Sequence, residues 1–161
     1  MKWFDSFLNK PIVKILRIDT EEDYEYFYPF ALFIMFDDRN GLLIGAINDG
    51  NSIQIESSTL SNVSEDYGID YSETILNELK ADDELKHFIG QTIKTIKVGE
   101  YFSDEISSNS FIIKQGKYAG IIIETDRNKL IYYNECGGHI LVDDDMEFPN
   151  PQRWTMKQNG C

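Results

Sequence analysis

Sulfur and imidazole are scarce in this chain. Its 161 residues include two cysteines, Cys136 and Cys161, and two histidines, His87 and His139. Two cysteines cannot build a disulfide framework. Two histidines leave little for a metal site or for acid–base chemistry near neutral pH. No stretch approaches the roughly 20 apolar residues of a membrane-spanning helix. The opening Met1-Lys2-Trp3-Phe4-Asp5 carries one cation and no long apolar run, unlike a secretory signal. A soluble protein of the reducing cytoplasm is the expectation. Cations are short as well: 15 Lys and Arg face 28 Asp and Glu, a net charge of -13. Such a chain repels nucleic acid and anionic membranes, having few cations to displace counterions from phosphate. A basic protein is the macromolecule it would attract, and the same acidity keeps a protein soluble. Apolar residues make up 42% of the chain and aromatics 13%, enough for the core of one mid-sized domain or two small ones.

Two pairs of segments align. "FDSFLNKPIVKI" (4–15) lies over "LKHFIGQTIKTI" (85–96) without a gap, Phe4, Phe7 and Leu8 falling on Leu85, Phe88 and Ile89. That spacing marks one face of a helix. Asn9 and Gly90 follow at the same place, and both tolerate the left-handed conformation that closes a helix. "ALFIMFDDRNGLLIGAINDGNSIQI" (31–55) lies over "YAGIIIETDRNKLIYYNECGGHILV" (118–142). Each copy holds three apolar runs separated by turn residues, Asp38 to Gly41 and Asp49 to Asn51 in one, Asp126 to Lys129 and Cys136 to Gly138 in the other. The expected fold class is therefore α+β: two similar helix–β-meander units from an internal duplication, with a mostly antiparallel sheet. Their ranges are 1–56 and 73–145, with a Ser/Asn/Asp-rich linker at 57–72 and an extension at 146–161. The two units could pack as one compact domain, since each buries little alone. Asp70 and Glu73 form a capping box for a helix whose apolar face is Ile75, Leu76 and Leu79. Asp82 or Asp83 restarts it towards Phe88.

"EEDYEYFYPF" (21–30) sets four acids among five aromatics. The duplication makes it a strand running into a turn. Alternation then sends Tyr24, Tyr26 and Tyr28 to one face and Asp23, Glu25 and Phe27 to the other. Two readings compete. One is an ordinary half-buried strand with its tyrosines packed inward. The other is a tyrosine-and-carboxylate surface at a sheet edge, where Tyr anchors a contact and carboxylates pair with a partner's Arg and Lys.

Motifs for chemistry are few. Cys136-Gly137-Gly138-His139 has the spacing of half a zinc site, but a structural site needs four ligands, so a hairpin turn is the better reading. Asp143-Asp144-Asp145 lacks the Gly and Glu of a calcium-binding loop and reads as a charged strand end or a contact for a basic partner. Cys136 with His139, or Ser57/Ser58 with a distant base, would be the only nucleophile pairs, and neither has a nucleophile-elbow signature. The carboxylates Asp37/Asp38 and Glu124/Asp126 fall at equivalent hairpin turns, where solvated side chains are the rule. No glycine-rich phosphate loop is present. No metal, no cofactor and no catalysis are expected. In the tail "MEFPNPQRWTMKQNGC" (146–161), Phe148 and Trp154 are expected to pack back onto a sheet and cover an edge.

In size, acidity and lack of catalytic motifs the whole chain resembles the small immunity proteins that bacteria make against their own or neighbouring toxins. The resemblance is one of general character, and no site residue carries over from it. It implies a non-catalytic acidic binding protein that neutralises a basic partner, a toxin domain such as a nuclease, by occluding its active site with carboxylates standing in for phosphate. The expected contacts are Glu21, Glu22, Asp23, Tyr24, Glu25, Tyr26 and Tyr28, followed by Asp143, Asp144 and Asp145. The alternative is a structural or assembly module that self-associates through a sheet edge.

Overall fold

The computed structural model describes residues 2–19, 29–37, 39–67, 74–108, 111–145 and 148–160. The first half is a meander: β1 (Lys14–Asp19), β2 (Ala31–Met35), β3 (Asn40–Ala46) and β4 (Ile53–Thr59), each antiparallel to the next, with β5 (Ile75–Glu78) added on the far side of β1. The second half is built on β6 (Ile93–Tyr101), β9 (Tyr118–Thr125), β10 (Lys129–Asn134) and β11 (Gly138–Val142), with β12 (Trp154–Gly160) along the outer side of β6. The halves join into one ten-stranded sheet where Ile53 of β4 meets Tyr118 of β9. A separate hairpin, β7 (Glu105–Ser108) and β8 (Phe111–Lys114), stands apart from that sheet.

The apolar runs have no polar alternation because both faces of the sheet are covered, as in any strand buried on two sides. β2 is buried at every position, and β3 at all but its first residue. On the inner face, side chains from both halves share one core, including Ile15, Ile34 and Leu42 from the first and Ile96, Ile123 and Leu130 from the second. The outer face of the first half lies under α1 (Leu60–Glu65), with Val63 and Tyr67 packing on Leu16, Ile18 and Phe33. The outer face of the second half lies under Phe148 and Trp154, which meet Tyr101, Ile131 and Tyr133. Phe148 has a made place. Gly99 and Gly120 pair across β6 and β9, and a Cβ on either would stand 2.8 Å or 2.5 Å from its ring.

The α+β class of two helix–β-meander units is corrected to a mostly-β fold. The expected helices at 4–8 and 85–89 are single 3-10 turns, Lys2–Phe7 and Glu84–Phe88. Three residues per turn puts i and i+3 on one side, so Phe4 with Phe7 and Leu85 with Phe88 are buried without a longer helix. Asn9 and Gly90 then turn the chain at φ +60° and +82°. The residues expected as a helix face at 75–79 form strand β5 instead, because Ile75 and Leu76 find ladder partners in Asp19 and Ile18. Asp70 and Glu73 lie outside the described residues. Asp83 caps the second 3-10 turn, accepting from the Leu85 amide at 2.9 Å. The range read as linker opens with the end of β4 and α1, whose N-cap Thr59 accepts from the Asn62 amide.

Candidate functional site

The tyrosine-and-acid segment with Glu21, Glu22, Asp23, Tyr24, Glu25, Tyr26 and Tyr28 lies outside the described residues. The other expected contact, Asp143 to Asp145, ends β11. Asp143 is turned to φ +55°, and its carboxylate accepts from the Lys129 amide at 2.8 Å and from Asn128 Nδ2 at 2.7 Å. It closes the β10–β11 pair while remaining exposed. Asp145 is exposed, 3.7 Å from Lys129 Nζ. Asp144 is half-buried between them.

Of the paired-turn carboxylates, Asp38 lies outside the described residues, and Asp37 and Asp126 fasten backbone. Asp37 accepts from the amides of Asn40 (2.7 Å) and Arg39 (2.8 Å). Asp126 accepts from the Thr92 amide at 3.0 Å. In each case the backbone donors favour the anion and hold the carboxyl below its ordinary range. A carboxylate held that way is a poor proton donor at neutral pH, so neither suits a general acid.

A cleft of ≈ 460 Å³ lies at the seam of the halves, where the β3–β4 and β10–β11 turns meet. Phe30, Ala46 and Ile47 form its apolar wall; Asn48, Asn134 and Cys136 supply polar atoms. Asn134, buried on β10, binds this seam: its Nδ2 donates to the carbonyls of Ile47 and Ser52, both at 2.8 Å, and its Oδ1 accepts from the Gly137 amide at 3.0 Å. Cys136, a free exposed thiol at φ +55°, donates its amide to the Gly50 carbonyl. His139 rests on its own hairpin, its ring stacked on Tyr133 at 5.0 Å and Nε2 3.2 Å from the Glu135 carbonyl oxygen. No charged side chain lines the cleft among the described residues. Among those residues no group of three His, Cys, Asp or Glu is placed to hold a metal ion.

Two polar clusters went unread in the sequence. Arg17, fully buried, reaches Asp19 (3.3 Å) and Asp83 (3.5 Å), and Asn77 Nδ2 donates to Asp19 at 2.8 Å. The signal was present: Arg17 and Asp19 stand two apart in the apolar strand "KILRID" and therefore share a face. The second centres on Asp49, whose carboxylate accepts from the amides of Asn51 (2.9 Å), Ser52 (2.8 Å) and Gly116 (2.9 Å), and from the Ser52 hydroxyl. Burial pushes the Asp49 carboxyl up, but the Ser52, Asn51 and Gly116 donors outweigh it and leave the group below its ordinary range. Asp49 thus ties the β3–β4 turn to the start of β9. Beside it, Tyr101 donates to the Asn51 carbonyl, and burial raises its hydroxyl. On the other side of the seam, Tyr132 is buried and donates to the Pro29 and Phe30 carbonyls. Burial keeps it protonated at any working pH.

Neither cluster is placed for catalysis: one is closed in the core and the other is a loop tie. No family model, no curated protein and no solved structure matches the chain. No helix among the described residues is long and apolar enough to cross a membrane.

Proposed function

We propose that this chain is a non-catalytic acidic binding protein that neutralises a basic protein partner, a bacterial toxin domain in the immunity-protein reading, and that it acts in the reducing cytoplasm. The observation that carries the reading is the net charge of -13, set on a sheet scaffold whose seam cleft has no charged lining. A protein of this charge draws a cationic partner at long range and repels phosphate polymers. Its carboxylates occupy the surface that a nucleic-acid substrate would otherwise find on a basic nuclease. Glu21, Glu22 and Asp23 with Tyr24, Tyr26 and Tyr28 are the first contacts assigned, and Asp144 and Asp145 follow. Asp143, exposed and also accepting from Asn128 and Lys129, stands with them.

The test pairs the purified chain with the product of the gene beside its own. The expected result is a complex whose association rate falls steeply with salt and which suppresses that product's toxicity on co-expression. A partner that proves acidic, or a complex whose association rate is indifferent to ionic strength, would sink the reading.

A further inference from the structure

The outer edge of β12 carries no acid. Three strands of the main sheet, β5, β11 and β12, pair on one side only among the described residues, and β12 is the longest at seven residues. Long open edges invite another strand. Residues 148–160 contain no Asp or Glu. β12 itself holds one charge, the cation Lys157. Two copies meeting here set no acid against acid. Half-exposed apolar side chains flank the edge: Met156 on the strand, 38% exposed, and Trp3, also 38% exposed, on the 3-10 turn that packs beside β12.

The hydrogen-bond phase of the edge is readable. The Arg153 carbonyl accepts from the Phe102 amide on the β6 side, so residues 153, 155 and 157 point their backbone groups inward. Trp154, Met156 and Gln158 therefore point theirs outward. We propose that a second copy of this chain pairs with the outer edge of β12, antiparallel and two-fold symmetric, with Met156 opposite Met156. An isologous contact needs such a self-complementary centre. The charges select the register. Centred on Met156, each Lys157 faces a Thr155. Moving the centre by one residue puts Lys157 opposite Lys157 in one direction and opposite Arg153 in the other, and like charges directly opposed destabilise a ladder.

Sedimentation velocity of the whole chain over a range of concentrations tests this. The expected result is a monomer–dimer equilibrium. Thr155→Glu puts an acid opposite Lys157 twice per dimer and tightens it, while Thr155→Lys opposes like charges and weakens it, each by about 2- to 30-fold. Met156→Pro removes an outward amide, leaves the β6 ladder intact and abolishes the dimer. If that variant does not fold, the Thr155 pair decides alone. A chain that stays monomeric up to about 1 mM, its edge left bare or for another kind of partner, overturns the proposal. So does a dimer that the two Thr155 variants shift in the same direction or not at all.

Discussion

Replacing Arg17 with methionine tests how the inner core is held. The guanidinium is completely buried and stands between two carboxylates that are themselves 3% and 4% exposed. Asp19 comes from the same strand. Asp83 comes from the segment that leads into the second half, so the cluster clamps the middle of the chain against β1. Methionine fills much of the arginine's volume, which keeps the cavity contribution small. What is lost is the cation that bridges Asp19 and Asp83, leaving two carboxylates in the core. Breaking a buried ion pair by removing one partner costs about 3–5 kcal/mol. Against a usual stability of about 5–15 kcal/mol this is a large fraction. For a chain of this length each kcal/mol lowers the midpoint by about 2–4 °C, so Arg17→Met should melt about 6–20 °C below the parent.

The assay is thermal and urea unfolding by circular dichroism at neutral pH, with one further variant. Arg17→Met combined with Asp19→Asn and Asp83→Asn removes every charge of the cluster. A buried ion cluster replaced by neutral residues of similar size is often no less stable. The triple variant should therefore recover a substantial part of what the single variant loses, although it carries two more substitutions. A single variant that melts within about 2 °C of the parent, or a triple variant no better than the single, would refute the argument that uncompensated charge dominates the loss.

Asp49→Asn should destabilise by about 1 kcal/mol at neutral pH, the Asp49 site being partly open to solvent. The sign follows from the lowered carboxyl: its contribution is complete above the unfolded value of about 3.9 and disappears as pH falls through the lower folded value, so the gap between parent and variant in urea melts should close in acid and stay constant above pH 5. Phe148→Ala should cost about 3–5 kcal/mol by emptying the Gly99–Gly120 slot, and Gly120→Val should be at least as damaging because its Cβ would meet the Phe148 ring; both are read from thermal midpoints. Charge reversal at Glu21, Glu22 and Asp23 should slow association with the basic partner and flatten its salt dependence in stopped-flow mixing, and unchanged kinetics would remove that segment from the interface.

The strands of the two meanders were legible because their cues are local. "ALFIM" and "GLLIG" are continuous apolar runs between turn residues, and such runs mark strands buried on both faces. Asp49-Gly50-Asn51 and Cys136-Gly137-Gly138 announced their turns through residues that accept left-handed backbone. The helices misled because an apolar pair spaced by three fits a single 3-10 turn as well as a full helix, and nothing in "FDSFL" or "DELKHF" sets the length. β5 was missed for a different reason. "ILNE" is too short to declare a period, and its conformation is decided by the open edge of β1, distant in sequence.

The candidate site was less legible than the fold, and the cause is physical. A binding surface made of carboxylates looks, residue by residue, like any solvated surface; only contacts separate the two. Asp143 and Asp145 sit two apart in one acidic run, yet one is bound by Asn128 and Lys129 and the other projects into solvent. The same rule runs in reverse at β12. "WTMKQNG" has weak strand character of its own and becomes a strand because β6 offers it a ladder of seven paired positions. That pairing covers one edge of β6 and creates another, which carries a single cation in a chain dominated by acids. The acidity that would draw a basic partner would also hold copies of the chain apart, and β12 carries no acid. A dimer joined through β12 would use none of the acidic residues assigned to the partner, so self-association and capture of a cationic partner would not compete for the same residues.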